Sequence, residues 1–524
     1  MKKRVVSLLL AVVMMFALAG CGNTGNTPSN NSASDTHTFY YATYVDPILQ
    51  WDPSGSVSNE VMVFNEVYET LLRIDPATDE FTPCLATSYE ANEDGTVWTF
   101  KLREGVTFTD GSAFNADVVK FCLERTISLN GANAYLWNSL DYVEVIDNYT
   151  VALHLKYAAP ADIICAGSYG SFMYSKEAVE NDPDFFNKGQ VCGSGPYTLA
   201  QYQAGDYVVL SRNENYWGGW SDNQYDSVIF KYAAESSSRR QMIESNEVSA
   251  VNMLPAEDVA ALSNSANCKV VEAPTLKNMI ANYNTASGPC SDVRVRQALA
   301  YALPYEQVAN VACGGHATIG CGYIPTGLFG HTDDLNTNVY DLEKARELLT
   351  EAGYADGMNL VLTYMSGDEM QRKTAELWAT ELAKLNVTLS INAMTWDGMW
   401  DKARSTTLED RQDILVEYWM IDIASPSGWM AAYTTEAEPI MNLSYYSDPE
   451  VDALIAEAAS LCATDRDAAT EVYYTIQEKL AAACPATSVV DVKDVWVLSG
   501  TVDSIDLNAA YTMVARVYDA RWAQ

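Results

Sequence analysis

The sequence has little positive charge, and this shortage excludes one class of function. Among its 524 residues, Lys and Arg total 32 against 69 Asp and Glu, so the formal net charge is −37. Binding to a nucleic acid depends on clustered Lys and Arg that neutralise phosphates, and the negative field of the chain repels a polyanion. We therefore predict no nucleic-acid partner, while small neutral or cationic ligands stay open.

Histidine and recognisable nucleophile motifs are equally scarce. The four His residues lack the spacing of a Ser-His-Asp triad or of a His-x-x-x-His metal site. Gly193-Ser194-Gly195-Pro196 leads into the β-rich Tyr197, which indicates a turn into a strand instead of a phosphate loop. A pair of catalytic carboxylates, as in a glycosidase, stays open as an alternative. With 69 Asp and Glu residues, closely spaced acids are expected by chance and give it little support. We predict no catalytic residues, no enzymatic activity and no cofactor.

Long apolar runs are missing beyond the N-terminus. Basic residues at 2–4 precede a mainly apolar run over 5–17, which is too short to cross a bilayer core of about 30 Å. Leu18-Ala19-Gly20-Cys21 resembles a bacterial lipobox, in which the thiol is lipidated and the chain is cut before it. We predict that residues 1–20 are a lipoprotein signal peptide and that Cys21 carries the lipid. An ordinary signal peptide that ends near a cysteine is the alternative.

The segment that follows Cys21 is nearly all small and polar, so residues 21–36 are predicted to form a flexible tether. A lipid at one end and a folded body at the other anchor the protein to the membrane without spanning it. We therefore expect a lipid-anchored protein on the outer, extracytoplasmic face of the cell membrane.

Ten further cysteines lie in the body of the chain. Export permits disulfides, but a body of this size does not require them and their pairing cannot be deduced. Cys313, His316 and Cys321 have a spacing that suits a metal, yet closed structural zinc sites usually have four ligands. A loop disulfide or separate thiols is the favoured interpretation, and we predict no metal.

Hydrophobic periodicity predicts alternating strands and helices along the body. In the first half we expect a strand over 97–102, a helix over 114–125 that Asn115 caps, a hairpin over 143–155 and paired strands over 197–211. The second half predicts helices at 341–352, 369–385, 448–461 and 465–483, and strands at 359–365, 387–392, 414–419 and 488–498. This alternation favours an α/β lobe with a largely parallel sheet.

Three sequence blocks resemble the signature of the family 5 extracellular solute-binding proteins, which serve oligopeptide, dipeptide, nickel and some oligosaccharide ABC importers. The blocks are PCLATSYE at 83–90 with DGTxWTFxLRxGVxFxDG at 94–111, GSGPYTL at 193–199 with RNxxYWG at 212–218, and DVRVRQAL at 292–299. The resemblance extends from about Phe39 to the C-terminus.

The resemblance implies an α/β, periplasmic-binding-protein-like fold with two lobes that close on a central cleft, plus an additional inserted domain. Domain I would comprise 37–75, 193–277 and 485–524, domain II the insertion 76–192, and domain III residues 278–484. Ligand would be enclosed between domains I and III, with two chain crossings as the hinge.

The resemblance also implies a ligand site around Trp419-Met420-Ile421-Asp422, because family members place an Asp three residues after a Trp to receive the substrate ammonium. Asp422 is the principal candidate, and Glu417, Tyr418 and Trp419 would supply the strand edge and the pocket floor. The alternative is that Asp422 only caps or turns the loop before Pro426.

This chain departs from the oligopeptide pattern upstream of Trp419. Acidic and apolar residues stand where relatives carry basic ones for a peptide carboxylate, and only Arg411 is available there. Trp396 and Trp429 are further candidates, as aromatic walls of the pocket. Packing in the core is the alternative for these tryptophans, and it is favoured for Trp400.

The predicted function is that of a lipid-anchored, monomeric substrate-binding protein that captures di- to oligopeptides in the cleft and delivers them to an ABC permease. An oligosaccharide or nickel-complex receptor of the same family is the alternative among binding proteins. A surface hydrolase on the same scaffold is the alternative of another class.

Overall fold

The computed structural model describes residues 37–524 apart from 57, 75–80, 336, 421 and 438–439. The predicted signal peptide, the tether and Cys21 lie outside the described residues. In chain order the strands are β1 (Thr38–Thr43), β2 (Leu72–Ile74), β3 (Phe81–Pro83), β4 (Ala86–Ala91), β5 (Val97–Leu102), β6 (Leu140–Asp147), β7 (Thr150–Leu155), β8 (Tyr197–Gln203), β9 (Tyr207–Arg212), β10 (Ser227–Tyr232), β11 (Ala250–Asn252), β12 (Cys268–Ala273), β13 (Asn278–Tyr283), β14 (Ala317–Ile319), β15 (Met358–Met365), β16 (Val387–Met394), β17 (Ile414–Trp419), β18 (Ala486–Val492), β19 (Asp494–Ser499), β20 (Val502–Ser504) and β21 (Arg521–Trp522).

The helices, again in chain order, are α1 (Val61–Val67), α2 (Ala116–Leu129), α3 (Ala161–Ala166), α4 (Lys176–Asn181), α5 (Ser236–Glu244), α6 (Ala256–Leu262), α7 (Val293–Tyr301), α8 (Tyr305–Gln307, continued by a π-helical turn Val308–Ala312), α9 (Leu342–Glu351), α10 (Glu369–Ala383), α11 (Trp396–Ala403), α12 (Pro426–Met430), α13 (Pro449–Leu461) and α14 (Arg466–Ala483). Single 3-10 turns occupy Ala134–Trp137, Phe186–Lys188, Pro289–Ser291, Leu408–Asp410, Ala431–Tyr433, Thr435–Ala437 and Val517–Asp519. Among the described helices, none combines the length and the apolar character that a membrane crossing requires.

Three larger sheets and two two-stranded sheets, β2-β3 and β20-β21, contain these strands. The seven-stranded sheet has the order β12-β19-β11-β1-β10-β9-β8, and the six-stranded sheet has the order β14-β18-β13-β17-β15-β16. A four-stranded antiparallel sheet, β4-β5-β7-β6, lies in the segment between β1 and β8. Most strands are thus divided among the seven-stranded sheet, which includes β1 and β19, the inserted four-stranded sheet and the six-stranded sheet from the second half of the chain.

Local signals in the sequence explain many of these elements, and the structure confirms them. The Asn115 side chain accepts a hydrogen bond from the backbone N–H of Val118 at 3.2 Å and so caps α2. Asp341 caps α9 in the same way, through the backbone N–H of Lys344 at 2.9 Å. The expected hairpin turns between β6 and β7, and β5 and β17 have the predicted bounds.

The six-stranded sheet is mixed, so the expectation of a largely parallel sheet is wrong. β15 pairs in parallel with β16 and β17, as the strand–helix alternation predicts. β13, however, pairs antiparallel with β17 and β18, and β14 pairs antiparallel with β18. β13 and β18 adjoin the chain crossings between the two large sheets, so they do not belong to the alternating unit.

The chain crosses between the two large sheets twice, once between β12 and β13 and once at Lys493. The predicted single strand over 488–498 is wrong, because Lys493 separates β18, in the six-stranded sheet, from β19, in the seven-stranded sheet. Both strands are almost wholly buried, so hydrophobic periodicity does not indicate the change of sheet. The division into domains stays a prediction, but the change of sheet lies at Lys493 and not at 484/485.

The core is divided in the same way as the sheets. One apolar cluster joins the seven-stranded sheet to the inserted sheet, and two more contact opposite faces of the six-stranded sheet. Val416 belongs to one face and Trp419 to the other. This alternation along β17 determines where each candidate side chain of that strand lies.

Several body cysteines are buried thiols, among them Cys84, Cys122, Cys165 and Cys290. His316 contacts Glu272 instead of a thiol, with its Nδ1 atom 2.8 Å from the Oε1 atom of the carboxylate. In the described part of the chain, no group of three or more metal-ligating side chains is close enough to hold an ion.

Candidate functional site

One edge of β17 is open where the strand approaches its end. β17 pairs with β13 along its whole length, from Ile414 to Trp419. On the other side it pairs with β15 only at Ile414 and Leu415. From Val416 onward, that edge has no strand partner among the described residues. Its backbone groups on that side therefore have no strand to pair with there, which is the arrangement that strand addition uses.

The loop that follows β17 carries Asp422. The Asp422 carboxylate accepts a hydrogen bond from the Tyr135 hydroxyl, and its backbone carbonyl accepts one from the Tyr511 hydroxyl at 2.8 Å. Ser425 caps the short helix α12 through the backbone N–H of Ser427 at 3.3 Å. The helix-capping role thus belongs to Ser425, and the Asp422 side chain faces another segment of the protein.

Segments distant in sequence meet around Asp422. Tyr135 comes from a 3-10 turn beside the inserted sheet, and Tyr511 comes from the C-terminal segment. Tyr511 also accepts a hydrogen bond from the backbone N–H of Ser168 at 2.8 Å. A Cβ atom on Gly167 would lie 3.1 Å from the Ile423 side chain, so only a glycine permits this approach without displacement. The loop is therefore held between the inserted region and the C-terminal segment.

The electrostatic setting of Asp422 favours a cationic ligand. Burial raises the pKa of the Asp422 carboxyl, and the hydrogen bond from Tyr135 opposes that rise. Within the described residues, no Lys, Arg or His lies within ion-pair distance of this carboxylate. A partly buried carboxylate with a single hydroxyl partner is stabilised when a cationic group binds to it.

An apolar cavity of about 420 Å³ adjoins this loop. It is lined by Ile74, Phe81, Tyr89, Leu276, Gly327, Leu328, Phe329, Ala424, Arg466 and Ala510. Arg466 belongs to α14 and pairs with Asp162 of α3 at 2.5 Å, so an ion pair closes one wall. Ala424 and Ala510 lie one or two residues from Asp422 and Tyr511, which places the cavity beside the acid.

Glu417 lies inside the protein. Only 1% of its surface is exposed, and its Oε1 atom accepts a hydrogen bond from the Asn282 amide at 2.7 Å. Burial raises the pKa of Glu417 to about 8, against the opposing effects of Arg404 and of the Asn282 hydrogen bond. Its carboxyl therefore contributes to the interior, while its backbone contributes to the open edge of β17.

Tyr418 and Trp419 alternate across the sheet. The Tyr418 hydroxyl donates to the Oδ1 atom of Asp368 at 3.2 Å, and the Lys277 ammonium lies 4.1 Å from the centre of the Tyr418 ring. Trp419 is 6% exposed and packs in the same core cluster as Trp429. Trp419 therefore forms a packed floor beneath the start of the loop.

The other candidates are not brought to Asp422. Trp429 is 2% exposed, within the core. Trp396 is 51% exposed and its ring contacts Trp400 with centroids 5.4 Å apart. Arg411 donates to the Ser405 carbonyl at 2.7 Å and lies 3.9 Å from the Tyr445 ring centre. The ligand contacts assigned to these residues stay predictions.

Sequence reasoning missed Tyr135, Gly167 and Tyr511. Tyr135 is 287 positions from Asp422 and Tyr511 is 89. No spacing rule connects segments so far apart. Only the tertiary fold brings these groups together.

Comparison with known proteins identifies the family. The model of the bacterial extracellular solute-binding proteins, family 5, middle region, matches residues 80–439. The chain belongs to this family. This confirms the resemblance inferred from the three sequence blocks.

A curated relative and two solved structures agree with this assignment. The glutathione-binding protein GsiB of Escherichia coli O1:K1 / APEC is 27% identical over 445 residues, which cover 83% of this chain and 84% of the relative. The ABC transporter substrate-binding protein CtaP of Listeria monocytogenes superposes with a TM-score of 0.83 at 21% identity, covering 94% of this chain and all (100%) of the other.

The dipeptide-binding protein of Pseudoalteromonas sp. SM9913 in complex with Met-Leu has a TM-score of 0.77 at 22% identity and covers 93% and 100% of the two chains. These likenesses confirm the predicted fold class, an α/β periplasmic-binding-protein-like fold.

Proposed function

We propose that this family 5 protein is a lipid-anchored extracellular substrate-binding protein that captures di- to oligopeptides in a cleft and delivers them to an ABC permease. The observation that carries the proposal is Asp422, a partly buried carboxylate without a cationic partner in the described structure, at the end of the open edge of β17. Relatives named for binding glutathione and a dipeptide support the same ligand class.

Asp422 would receive the terminal ammonium of the peptide. A hydrogen bond to a charged group contributes about 1.5 to 3 kcal/mol. The Tyr135 hydroxyl, which contacts the same carboxylate, would fix its orientation and share it with the incoming ammonium. Every peptide with an unblocked N-terminus presents this group, so the contact does not depend on sequence.

The open edge of β17 would bind the peptide backbone. Backbone hydrogen bonds from Val416 to Trp419 serve any side chain, which is the basis of recognition by strand addition. The cavity of about 420 Å³ beside Ala424 and Ala510 has room for an apolar side chain of the first peptide residue. Main-chain contacts would thus supply affinity for any peptide, and the cavity would add a preference for an apolar first residue.

Closure would follow from differential binding. Asp422 belongs to a loop of the six-stranded sheet, whereas Tyr135 and Tyr511 come from the inserted region and the C-terminal segment. A ligand that contacts all three stabilises the closed arrangement, and only by the free energy of those added contacts. We assign the hinge to the two crossings, between β12 and β13 and at Lys493. The regions they join are domains I and III, with domain II inserted.

The remaining parts of the proposal concern location and turnover. Cys21 would carry the lipid and the tether would hold a monomeric body near the permease, outside the membrane. Family membership supports binding without chemical change of the ligand. An oligosaccharide or a nickel complex is the alternative cargo, and hydrolysis is the alternative activity.

Thermal-shift and calorimetric screening of the mature protein tests this function. Di- to pentapeptides should raise the unfolding temperature in a saturable way, and mass spectrometry should recover them intact. A shift with cello-oligosaccharides or a nickel complex but with no peptide would overturn the peptide assignment. Recovery of cleaved peptides would overturn the binding function in favour of hydrolysis.

A further inference from the structure

The turn between α13 and α14 packs against the inserted region. Both helices belong to the apolar cluster on one face of the six-stranded sheet. Ala463 of the turn, however, is buried in the cluster that joins the seven-stranded sheet to the inserted sheet. A Cβ atom added to Gly95, between β4 and β5, would lie 2.9 Å from the Ala463 Cβ atom and 3.0 Å from the Thr464 side chain. The two turns therefore approach so closely that position 95 has no room for a side chain.

An ion pair next to this turn joins the same two regions. The Arg466 Nη2 atom, in the first turn of α14, lies 2.5 Å from the Asp162 Oδ2 atom on α3. Asp162 is 3% exposed, and its Oδ1 atom accepts a hydrogen bond from the backbone N–H of Ile163 at 2.8 Å. The guanidinium also lies 5.3 Å from the ring centre of Phe81 and 5.9 Å from that of Phe329. Among the described residues, Arg466 is the one cation within ion-pair distance of this buried carboxylate.

The helix α3 links this ion pair to the loop that carries Asp422. Gly167 follows α3 directly and approaches the side chain of Ile423, the neighbour of Asp422. Asp162 and Gly167 are five residues apart. One short helix of the inserted region thus contacts elements of the six-stranded region at both of its ends. Opening of the cleft would separate both contacts and admit water to the Asp162 carboxylate.

Resting on the proposed function and the cleft closure that it includes, we infer that Asp162 and Arg466 form a latch that holds the cleft closed around a bound peptide. In the closed arrangement the buried carboxylate depends on its cationic partner, because an unpaired charge inside a protein is strongly destabilising. In an open arrangement water solvates both groups. The latch therefore sets how slowly the peptide dissociates, and Asp162 contributes to it without lining the cavity.

Removal of the cation should loosen the closed state more than removal of both charges. Arg466→Gln leaves Asp162 buried and unpaired, so dissociation of leucyl-alanyl-alanine should become at least about tenfold faster. Adding Asp162→Asn removes the unpaired charge and should return the dissociation rate to within about threefold of wild type. Arg466 also lines the cavity, but a lost contact between Arg466 and the peptide would not be restored by a change at Asp162.

Stopped-flow tryptophan fluorescence of the mature protein, diluted from saturating leucyl-alanyl-alanine, measures these rates. Ala463→Trp tests the latch without changing a charge, and it should also speed dissociation because its side chain does not fit against Gly95. Glu450→Gln is the matched control. It removes an ion pair with Lys479 at 2.9 Å, which joins α13 to α14 without reaching the inserted region, and it should dissociate like wild type.

The rate is read from the peptide-bound protein, so partial loss of folded protein lowers the amplitude and not the rate. Dissociation at the wild-type rate from Arg466→Gln or from Ala463→Trp would overturn the latch and leave the proposed function standing. A double variant as fast as Arg466→Gln alone, or an equal acceleration by Glu450→Gln, would also overturn it. If the wild type binds no tripeptide, the latch and the proposed function both fail.

Discussion

Glu417 and Asp422 are two acids five residues apart in one segment, and their side chains lie in different surroundings. Glu417 lies on β17 inside the six-stranded region, where the Asn282 amide satisfies one oxygen. Asp422 lies past the end of β17, where the Tyr135 hydroxyl reaches it from another part of the fold. Burial raises the pKa of both, but only Asp422 receives an incoming ligand as partner in the proposed function.

Under the proposed function, this contrast separates a buried acid that serves the interior from one that serves a ligand. A perturbed pKa alone does not distinguish them, because desolvation is the first cause in both cases. The distinguishing features are the open strand edge, the apolar cavity and the convergence of distant segments at Asp422. The tryptophans repeat the contrast, since Trp429 is packed inside and Trp396 is exposed.

The largest expected effect concerns the interior. Trp429→Ala should lower the free energy of unfolding by about 3 to 5 kcal/mol, because it removes a large packed side chain and leaves a cavity. Trp396→Ala should change it by no more than about 0.5 kcal/mol. Urea unfolding of both variants measures the difference. Equal losses of unfolding free energy in the two variants would contradict the assignment of Trp429 to the core and Trp396 to the surface.

The next effect concerns the ligand end of the loop. Asp422→Asn should weaken binding of an unblocked tripeptide by about 2 kcal/mol or more, about 30-fold, because the charged partner of the ammonium is lost. Glu417→Gln is the matched control and should leave calorimetric affinity within about threefold of wild type. Comparable losses in both variants would remove the functional distinction between the two acids.

Glu417 also links the stability of the protein to pH. Burial raises the Glu417 pKa from its ordinary 4.5 to about 8. Between these values the folded state keeps a proton that the unfolded state has released, so this group stabilises at low pH and loses that contribution as pH rises through about 8. The slope is at most about 1.4 kcal/mol per pH unit.

Glu417→Gln should remove this part of the slope in urea unfolding measured between about pH 5.5 and about pH 7.5. Glu66, whose pKa burial also raises to about 8, should keep its own contribution in that variant. An unchanged slope after Glu417→Gln would show that the Glu417 carboxyl ionises in the folded state as it does in water.

The smallest expected effect concerns the partner of Asp422. Tyr135→Phe removes only a hydroxyl and should weaken tripeptide binding by about 1 kcal/mol, about fivefold. Tyr142→Phe alters a tyrosine of the inserted sheet that stacks on His154 instead, and it should bind like wild type. If Tyr135→Phe binds as tightly as Tyr142→Phe, the contact between Tyr135 and Asp422 does not contribute to recognition.

Much of the fold could be predicted because its signals are local. Asn115 and Asp341 mark the starts of helices because their side chains cap the first turn. The alternation of hydrophobic and polar residues along Val97–Leu102 predicts a strand without reference to any distant segment. The change of sheet at Lys493 could not be predicted, because β18 and β19 are both largely buried and no local signal shows that they pair with strands of different sheets.

The candidate site shows the same division. Asp422 could be proposed from its position after Trp419 in a segment that resembles the family pattern. Tyr135 and Tyr511 could not, since their nearness to Asp422 depends on tertiary contacts between segments far apart in sequence. A short-range pattern identifies one residue of such a site, and tertiary packing supplies the others.

Calorimetry with leucyl-alanyl-alanine and its N-acetylated form tests the central claim most directly. Acetylation removes the ammonium and leaves the side chains and the C-terminus unchanged. We expect acetylation to weaken peptide binding to the wild type by at least about 30-fold. The Asp422→Asn variant should bind the free and the acetylated peptide with similar affinity. Equal affinity of the wild type for the two peptides would contradict recognition of the ammonium by Asp422.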